Sequence, residues 1–325
     1  MAARDFPAPL IILSPPRSFS SVVSTMLGEH PEMYGFPELH LFVGDTVRQV
    51  IDLERKHKGG QSHAGPPGLL RSLAQLHDGV QTTGTAIRAA AWLLERADWS
   101  TKAMLEYLFQ KVSPRIALEK SPPTAIRPQY LERAFAYFPD AFFLHLTRHP
   151  LPNRSSLVEF QSQKRERLGE TEWQPRMDQL ISWHSTHANI LNFTATLPAG
   201  QTMRIKGEDV LSDPDRYLPQ IVNWMGLRTD HKAIEPMKHP ENSPYASPGA
   251  APARGGNDPK FMRSPKLRPG KVKEPSLEDF FERKNDIRWF GGSFCEVIEQ
   301  SPLRVADERD IQEQISEMAA LLGYF

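Results

Sequence analysis

The chain holds a single cysteine, Cys295, among its 325 residues. One thiol excludes an intramolecular disulfide framework, a thiolate zinc cluster and a CxxC redox pair. Neither sign of charge is in excess, since 39 Lys+Arg stand against 39 Asp+Glu. That balance excludes a broadly basic nucleic-acid coat, yet leaves room for a local cationic pocket. Long hydrophobic runs are missing as well, and none approaches the roughly 18 to 20 residues needed to cross a bilayer. Met1 to Pro7 carries Arg4 and Asp5 without a long apolar core or a small-residue cleavage site. The expectation is a cytoplasmic globular protein with a substantial core and no membrane partner.

What is present reads as strands alternating with helices. Pro9 to Leu13 is a short apolar run bounded by prolines, suited to a buried strand. It leads through Ser14-Pro-Pro-Arg-Ser18 into a segment with Val22, Val23, Met26 and Leu27 at helical spacing. A second unit runs from Arg115–Leu118 through Lys120–Pro123 into a helix ending near Phe138. A third strand, Ala141–Leu146, precedes Arg148-His-Pro150 and another helical segment. The fourth, Thr202–Ile205, precedes Glu208-Asp209 and a helix carrying Leu218, Ile221, Val222 and Trp224. This alternation predicts an α/β fold of three layers, with a mostly parallel sheet of about four or five strands covered by helices on both faces.

Three stretches stand apart. Residues 43–112 read as a helical insertion, with helical runs at Val43–Lys56, Leu69–Leu76 and Thr85–Gln110 and a breaker-rich stretch from Gly59 to Gly68. Residues 239–275 contain eight prolines and little apolar periodicity. A segment of that length is either functional or a solvated connector. Tyr245 and Phe261, together with Arg254, Lys260, Arg263, Lys266, Arg268 and Lys271, favour a lid that closes on something anionic. Finally, Asp307–Tyr324 reads as an amphipathic helix with Ile311, Ile315, Met318, Leu321 and Leu322 on one face. The whole, residues 1–325, is expected to form one domain.

Two constellations carry chemistry. Ser14-Pro-Pro-Arg-Ser-Phe-Ser-Ser21 lies where a buried strand turns into a helix, a place where free N–H groups and the helix dipole bind phosphate. Arg17 adds a charged donor there, and Ser18, Ser20 and Ser21 add hydroxyls; Ser18 or Ser20 could equally be a plain helix cap. The nucleoside-triphosphate loop Gly-x-x-x-x-Gly-Lys-Ser/Thr is absent. The second constellation runs from Leu146 to Ser156, with Arg148 at a strand end and Ser156 eight residues on, inside the next helix. Such a pair can clamp a second phosphate, and an Arg-x-Pro turn can also be no more than a turn. Two anion sites at neighbouring strand ends together imply a ligand with two separated phosphates.

With these motifs the chain resembles the PAPS-dependent sulfotransferases, whose donor is 3'-phosphoadenosine 5'-phosphosulfate. The first motif, Pro16 to Ser21, resembles that family's 5'-phosphosulfate loop, and Arg148 with Ser156 resembles its 3'-phosphate segment. Phe36–Leu41, Leu118–Pro122, Phe138–Leu146 and Lys206–Leu211 are similar, in the same order, to bacterial members, including sulfotransferase domains of polyketide assembly lines. The chain departs at Phe19, where the family often has Gly, and at Arg17, where the cytosolic branch has Lys.

The resemblance implies a P-loop-like fold and transfer of a sulfuryl group from PAPS to a hydroxyl of a small-molecule acceptor, free or presented on a carrier protein. Arg17 would then stabilise the leaving 5'-phosphate, with Pro16, Ser18, Phe19, Ser20 and Ser21 forming the loop around it. Glu38 is the first candidate for the base, and His40, with its ordinary pKa nearer neutrality, is the competing one. Lys120 could reach a sulfuryl oxygen or pair with Glu119. Arg268, with Gly270 and Lys271, would belong to a basic loop over the 3'-phosphate. A small-molecule kinase is the alternative, weakened by the missing Gly-Lys-Ser/Thr; a non-catalytic nucleotide-binding module is another. No metal is implied: His184 and His187 lie at i,i+3 beside Trp183 without a third ligand, and His145 and His149 read as packing and turn residues. Asn153-Arg-Ser and Asn192-Phe-Thr match glycosylation sequons but come without a secretory signal.

Overall fold

The computed structural model describes residues 5–57, 64–166, 178–268, 270–282 and 308–324. Met1 to Arg4, the start of the breaker-rich stretch and Cys295 lie outside the described residues. Five strands, β1 (Leu10–Leu13), β2 (Met33–Gly35), β3 (Ile116–Glu119), β4 (Phe142–Thr147) and β5 (Thr202–Lys206), form one sheet in the order β2-β3-β1-β4-β5. Every pairing is parallel. The expected α/β architecture is therefore the observed one, with β2 as the strand the sequence pattern did not signal. β2 has only three residues, too few for an alternation to show. It depends on close approach to the preceding helix, α1 (Ser20–Gly28): a Cβ on Gly28 would lie 2.7 Å from the Gly35 Cα.

All four residues of β1 are buried, because a central parallel strand is covered on both faces. Ile11 and Leu13 point with Ala117 and Phe143 into a core shared with the helical insertion. Leu10 and Ile12 point with Leu118, Leu144 and Leu146 toward α1 and the later helices. The insertion comprises α2 (Val47–His57), α3 (Pro67–Asp78), α4 (Thr83–Leu94) and α5 (Thr101–Val112). The long helix expected over Thr85–Gln110 is broken at Glu95–Ser100, where Ser100 accepts the Ala103 N–H and caps α5.

α6 (Pro128–Tyr137) follows β3, and α7 (Pro150–Glu166) and α8 (Gln179–Thr194) follow β4. After β5 come α9 (Gly207–Ser212), α10 (Pro214–Trp224), α11 (His231–Ile234), α12 (Pro259–Arg263), α13 (Leu277–Glu282) and α14 (Glu308–Leu321). α14 buries Ile311, Ile315, Ala319 and, just beyond its end, Leu322 against Leu180, Ile181 and Trp183 of α8. Leu321, expected on that face, is 58% exposed. At 100° per residue it falls well off the line through Ile311, Ile315 and Leu322.

Because all strands run the same way, their carboxyl ends meet at one edge of the sheet. β2 and β3 lie to one side of β1, and β4 and β5 to the other. The order reverses at β1, so the crevice beyond its carboxyl end is where a ligand fits an open α/β sheet. Ser14–Phe19, Lys120, Arg148 and Gly207 all follow strands at that edge.

Candidate active site

The turn between β1 and α1 is built on two left-handed residues that are not glycine, Arg17 at φ 67° and Phe19 at φ 62°. Each costs roughly 1–2 kcal/mol of backbone strain, the kind of distortion that clusters at functional sites. Phe19 is the N-cap of α1 and supplies no side-chain cap. Neither Ser18 nor Ser20 acts as the helix cap, and the first-turn N–H groups are left for another acceptor. Asn153 pins the loop to α7, donating to the Pro16 carbonyl at 2.8 Å and to Ser18 Oγ at 3.1 Å. Ser20 is buried in the first turn of α1. Ser21 Oγ accepts both Lys120 Nζ and the Asp258 N–H, each at 2.9 Å.

Arg17 Nε donates to Ser156 Oγ at 3.1 Å, and its Nη1 lies 2.7 Å from Asp258 Oδ2. The Phe160 ring lies over the guanidinium, 5.2 Å from its carbon to the centroid. Ser156, expected beside Arg148, thus touches Arg17. Arg148 donates from Nη1 to the Arg17 carbonyl, and its guanidinium lies 4.1 Å from the Phe19 ring centroid. Burial pulls the Arg148 pKa down to about 10, with Glu208 opposing and Arg17 adding to the shift, so it stays cationic at neutral pH. Its Nε is buried and has no hydrogen-bond partner. Close approach sustains the stack, for a Cβ on Gly207 would stand 2.7 Å from Phe19 Cδ2.

A second network adjoins the loop through Ser21. Lys120, fully buried, donates to Glu38 Oε1 at 2.8 Å as well as to Ser21. The pairing with Glu119 that the sequence suggested for Lys120 is replaced by one with Glu38. Glu38 Oε2 lies 3.4 Å from His40 Nε2, and Glu54 faces the other ring nitrogen at 3.9 Å. Burial would raise the Glu38 pKa, but Lys120 and His40 outweigh it and hold the carboxyl at about 2. For His40 burial acts downward, and Glu38, Glu54 and Glu119 lift its pKa above 6.5. The His40 backbone is left-handed at φ 57°, with its N–H donated to Ser121 Oγ at 2.9 Å. Ser121 Oγ donates onward to Glu119, whose pKa burial pushes up to about 7.

The structure therefore brings together Pro16, Arg17, Ser18, Phe19, Ser20, Ser21, Glu38, His40, Lys120, Arg148 and Ser156. Arg268 is exposed, and no contact among the described residues joins it to the cluster. Residues 239–275 do approach the site, yet the side chain they deliver is acidic. Asp258 reaches Arg17, while Lys260 pairs outward with Glu159 at 2.5 Å. The approach is anchored, since Gly256 accepts the Glu38 N–H at 2.7 Å and Tyr245 is buried with its hydroxyl 2.8 Å from that of Tyr34. A solvated connector does not describe this part. Asp258 and Asn153 are the site residues that sequence reasoning missed. Asn153 carried a signal, its place between Arg148 and Ser156, but it matched a sequon; it is 1% exposed and committed to the loop. Asp258 was marked only by its place in Gly256-Asn-Asp-Pro259, a stretch that resembles the assembly-line domains and gave the aspartate no role. Among the described residues no group of three or more His, Cys, Asp or Glu could hold a metal ion. Likewise, no helix among them is long and apolar enough to cross a membrane.

The sequence model described as "Sulfotransferase family" matches residues 9–231. Among solved structures, the chain is similar to the sulfotransferase domain from the curacin biosynthetic pathway, with 22% identity, 99% of each chain covered and a TM-score of 0.68. It is also similar to the sulfotransferase domain of the Synechococcus PCC 7002 olefin synthase, at 23% identity, with 98% of this chain and 97% of that one covered and a TM-score of 0.63. No curated protein sequence matches the chain. At these identities the structural likeness establishes the fold.

Proposed function

The chain belongs to the sulfotransferase family, and on that premise we propose that its strand-end crevice takes PAPS and passes the sulfuryl group to an acceptor hydroxyl. The observation that carries the donor assignment is the buried Arg148 Nε without a partner, one residue contact away from an uncapped helix start. A buried charged donor left unpaired is costly unless a ligand completes it. The residues fit a donor with two anionic ends. Arg17, Ser20, Ser21 and the first-turn N–H groups of α1 would hold the 5'-phosphosulfate, and Arg148 its 3'-phosphate. Asp258 on Arg17 supports this fit, because a carboxylate is already the anion that Arg17 accepts.

PAPS, when bound, supplies an activated sulfuryl group whose bond to the 5'-phosphate oxygen breaks as the acceptor oxygen bonds to sulfur. The chain has to stabilise the leaving phosphate, align the acceptor and take its proton. Arg17 meets the first need with a fixed charge. Lys120 is buried and tied to both Ser21 and Glu38, so it links the phosphate loop to the proposed proton acceptor's partner. For the base, the electrostatics favour His40 over Glu38. A carboxyl held at about 2, first of all by Lys120, accepts a proton poorly near pH 7, whereas His40, with its pKa raised, is the stronger base in its neutral form. Glu38 then fixes the ring and stabilises the imidazolium that forms. The acceptor is a small-molecule hydroxyl, free or presented on a carrier protein.

Calorimetry with PAP, the desulfonated donor, against ATP·Mg²⁺ tests the assignment. Tighter binding of PAP is expected, and tighter ATP binding overturns it. A sulfonation screen over candidate alcohols, free and carrier-linked, then identifies the acceptor.

A further inference from the structure

The strand end that carries Arg148 is held by a side chain from outside the family match, which ends at residue 231. Tyr324 lies just past α14 and is buried. Its hydroxyl donates to Glu208 Oε2 at 3.0 Å and lies 2.8 Å from Thr147 Oγ1. The other oxygen of Glu208 accepts the His149 N–H at 2.9 Å. Thr147 and His149 flank Arg148, so one tyrosine–glutamate pair grips the chain on both sides of it. The Arg148 carbonyl is fixed separately by Trp183 Nε1 at 2.9 Å. The His149 and Tyr324 rings meet edge to face, with centroids 5.3 Å apart.

We infer that Tyr324, acting through Glu208 and Thr147, is a positioning residue for 3'-phosphate recognition: it sets the backbone from which Arg148 aims its unpaired Nε. The inference rests on the donor assignment above. A buried hydroxyl placed between a carboxylate and a threonine has a defined geometry, and a phenylalanine of the same shape keeps the packing while deleting both links. α14 thereby becomes part of the donor site without touching the donor.

The test is calorimetric titration of PAP and of adenosine 5'-phosphate, which lacks the 3'-phosphate, into the full chain, Tyr324→Phe and Thr147→Val. PAP affinity should fall by about five- to tenfold in Tyr324→Phe, the size of one hydrogen bond's net contribution, with adenosine 5'-phosphate binding unchanged. Thr147→Val, which removes the other partner of the hydroxyl, should shift the ratio the same way and stands in if Tyr324→Phe does not fold. Equal losses for both ligands, or no loss for either, overturn the inference while the donor assignment stands. If the unaltered chain itself shows no preference for PAP over adenosine 5'-phosphate, the donor assignment falls and the inference with it.

Discussion

Asp258 Oδ2 and Arg17 Nη1 are 2.7 Å apart, so the arginine of the strand-to-helix turn is already paired with an anion from the chain itself. Asp258 also donates its N–H to Ser21 Oγ, which places it against the loop assigned to the 5'-phosphosulfate. A carboxylate and a phosphate cannot share one guanidinium edge without repulsion, so donor binding has to displace it. Asp258→Asn should therefore bind PAP more tightly, by up to about fivefold, since a partly exposed ion pair contributes at most about 1 kcal/mol. Calorimetry decides; weaker binding in the variant would make Asp258 a supporting residue instead of a competitor.

Arg148→Ala should weaken PAP by about 1.5–3 kcal/mol, the range for hydrogen bonds to charged groups. Adenosine 5'-phosphate should lose far less. An equal loss for both ligands would mean that Arg148 serves the loop through the Arg17 carbonyl and the Phe19 stack and not the 3'-phosphate.

The proton acceptor can be read from pH–rate profiles. His40 must be neutral to accept a proton, so the rate should rise with pH through its raised pKa and level off above it. Glu38→Gln removes the first of the carboxylates that lift His40. Its acidic limb should move to lower pH while kcat falls and PAP affinity holds. His40→Asn should abolish that limb. A wild-type rate flat across the range above pH 5 would return the role to Glu38.

Gly207→Ala tests the packing beneath Arg148. The new methyl would meet Phe19 Cδ2 at 2.7 Å and the Thr147 carbonyl oxygen at 3.3 Å. Overpacking of this kind costs about 1–3 kcal/mol. The expected result is a lower Tm together with weaker PAP binding, because the displaced ring is the one on which Arg148 lies. Unchanged PAP affinity at a lowered Tm would separate the stack from recognition.

Stability should fall on mild acidification. Burial depresses His145 to about 3, His149 and His184 to about 4, and His187 well below 6.5. Their stabilisation is fully present above 6.5 and is lost as pH falls, because the unfolded chain then binds protons that the folded one refuses. Glu119, raised to about 7, and Glu29, raised to about 6, act in the opposite sense between about 4.5 and those values. Glu208 and His40, whose pKa values are also raised, add to that opposing side, but the four strongly depressed histidines outweigh it, so Tm should drop from pH 7 to pH 5. A higher Tm at pH 5 contradicts the balance.

Much of this site was legible before any coordinates. Strand-to-helix turns announce themselves through an apolar run, a proline–serine cluster and a helical period, and that placed Arg17, Ser18 and Ser21 at the sheet's carboxyl edge. Arg148 followed from the same logic one strand over. Asn153, between Arg148 and Ser156, shows in the sequence only a sequon match, and a sequon is a pattern of residue types that says nothing about burial. The basic residues between 254 and 271 suggested a cationic lid, yet a single aspartate among them makes the contact. Composition averages over a segment, whereas an ion pair depends on which residue the backbone turns inward.

By itself, then, the sequence determined the alternation of strands and helices, the parallel sheet that follows from it, and the two strand-end turns that carry Arg17 and Arg148, since each depends on local periodicity and turn chemistry. Only the tertiary structure decided what those turns touch. Lys120 meets Glu38 across 82 positions, Arg17 meets Asp258, and Tyr324 reaches Glu208 across 116. Pairings at such separations leave no periodic trace, because the packing of whole elements sets them. The neutral total of 39 charges against 39 could not reveal them; where a few of those charges stand is a property of the fold.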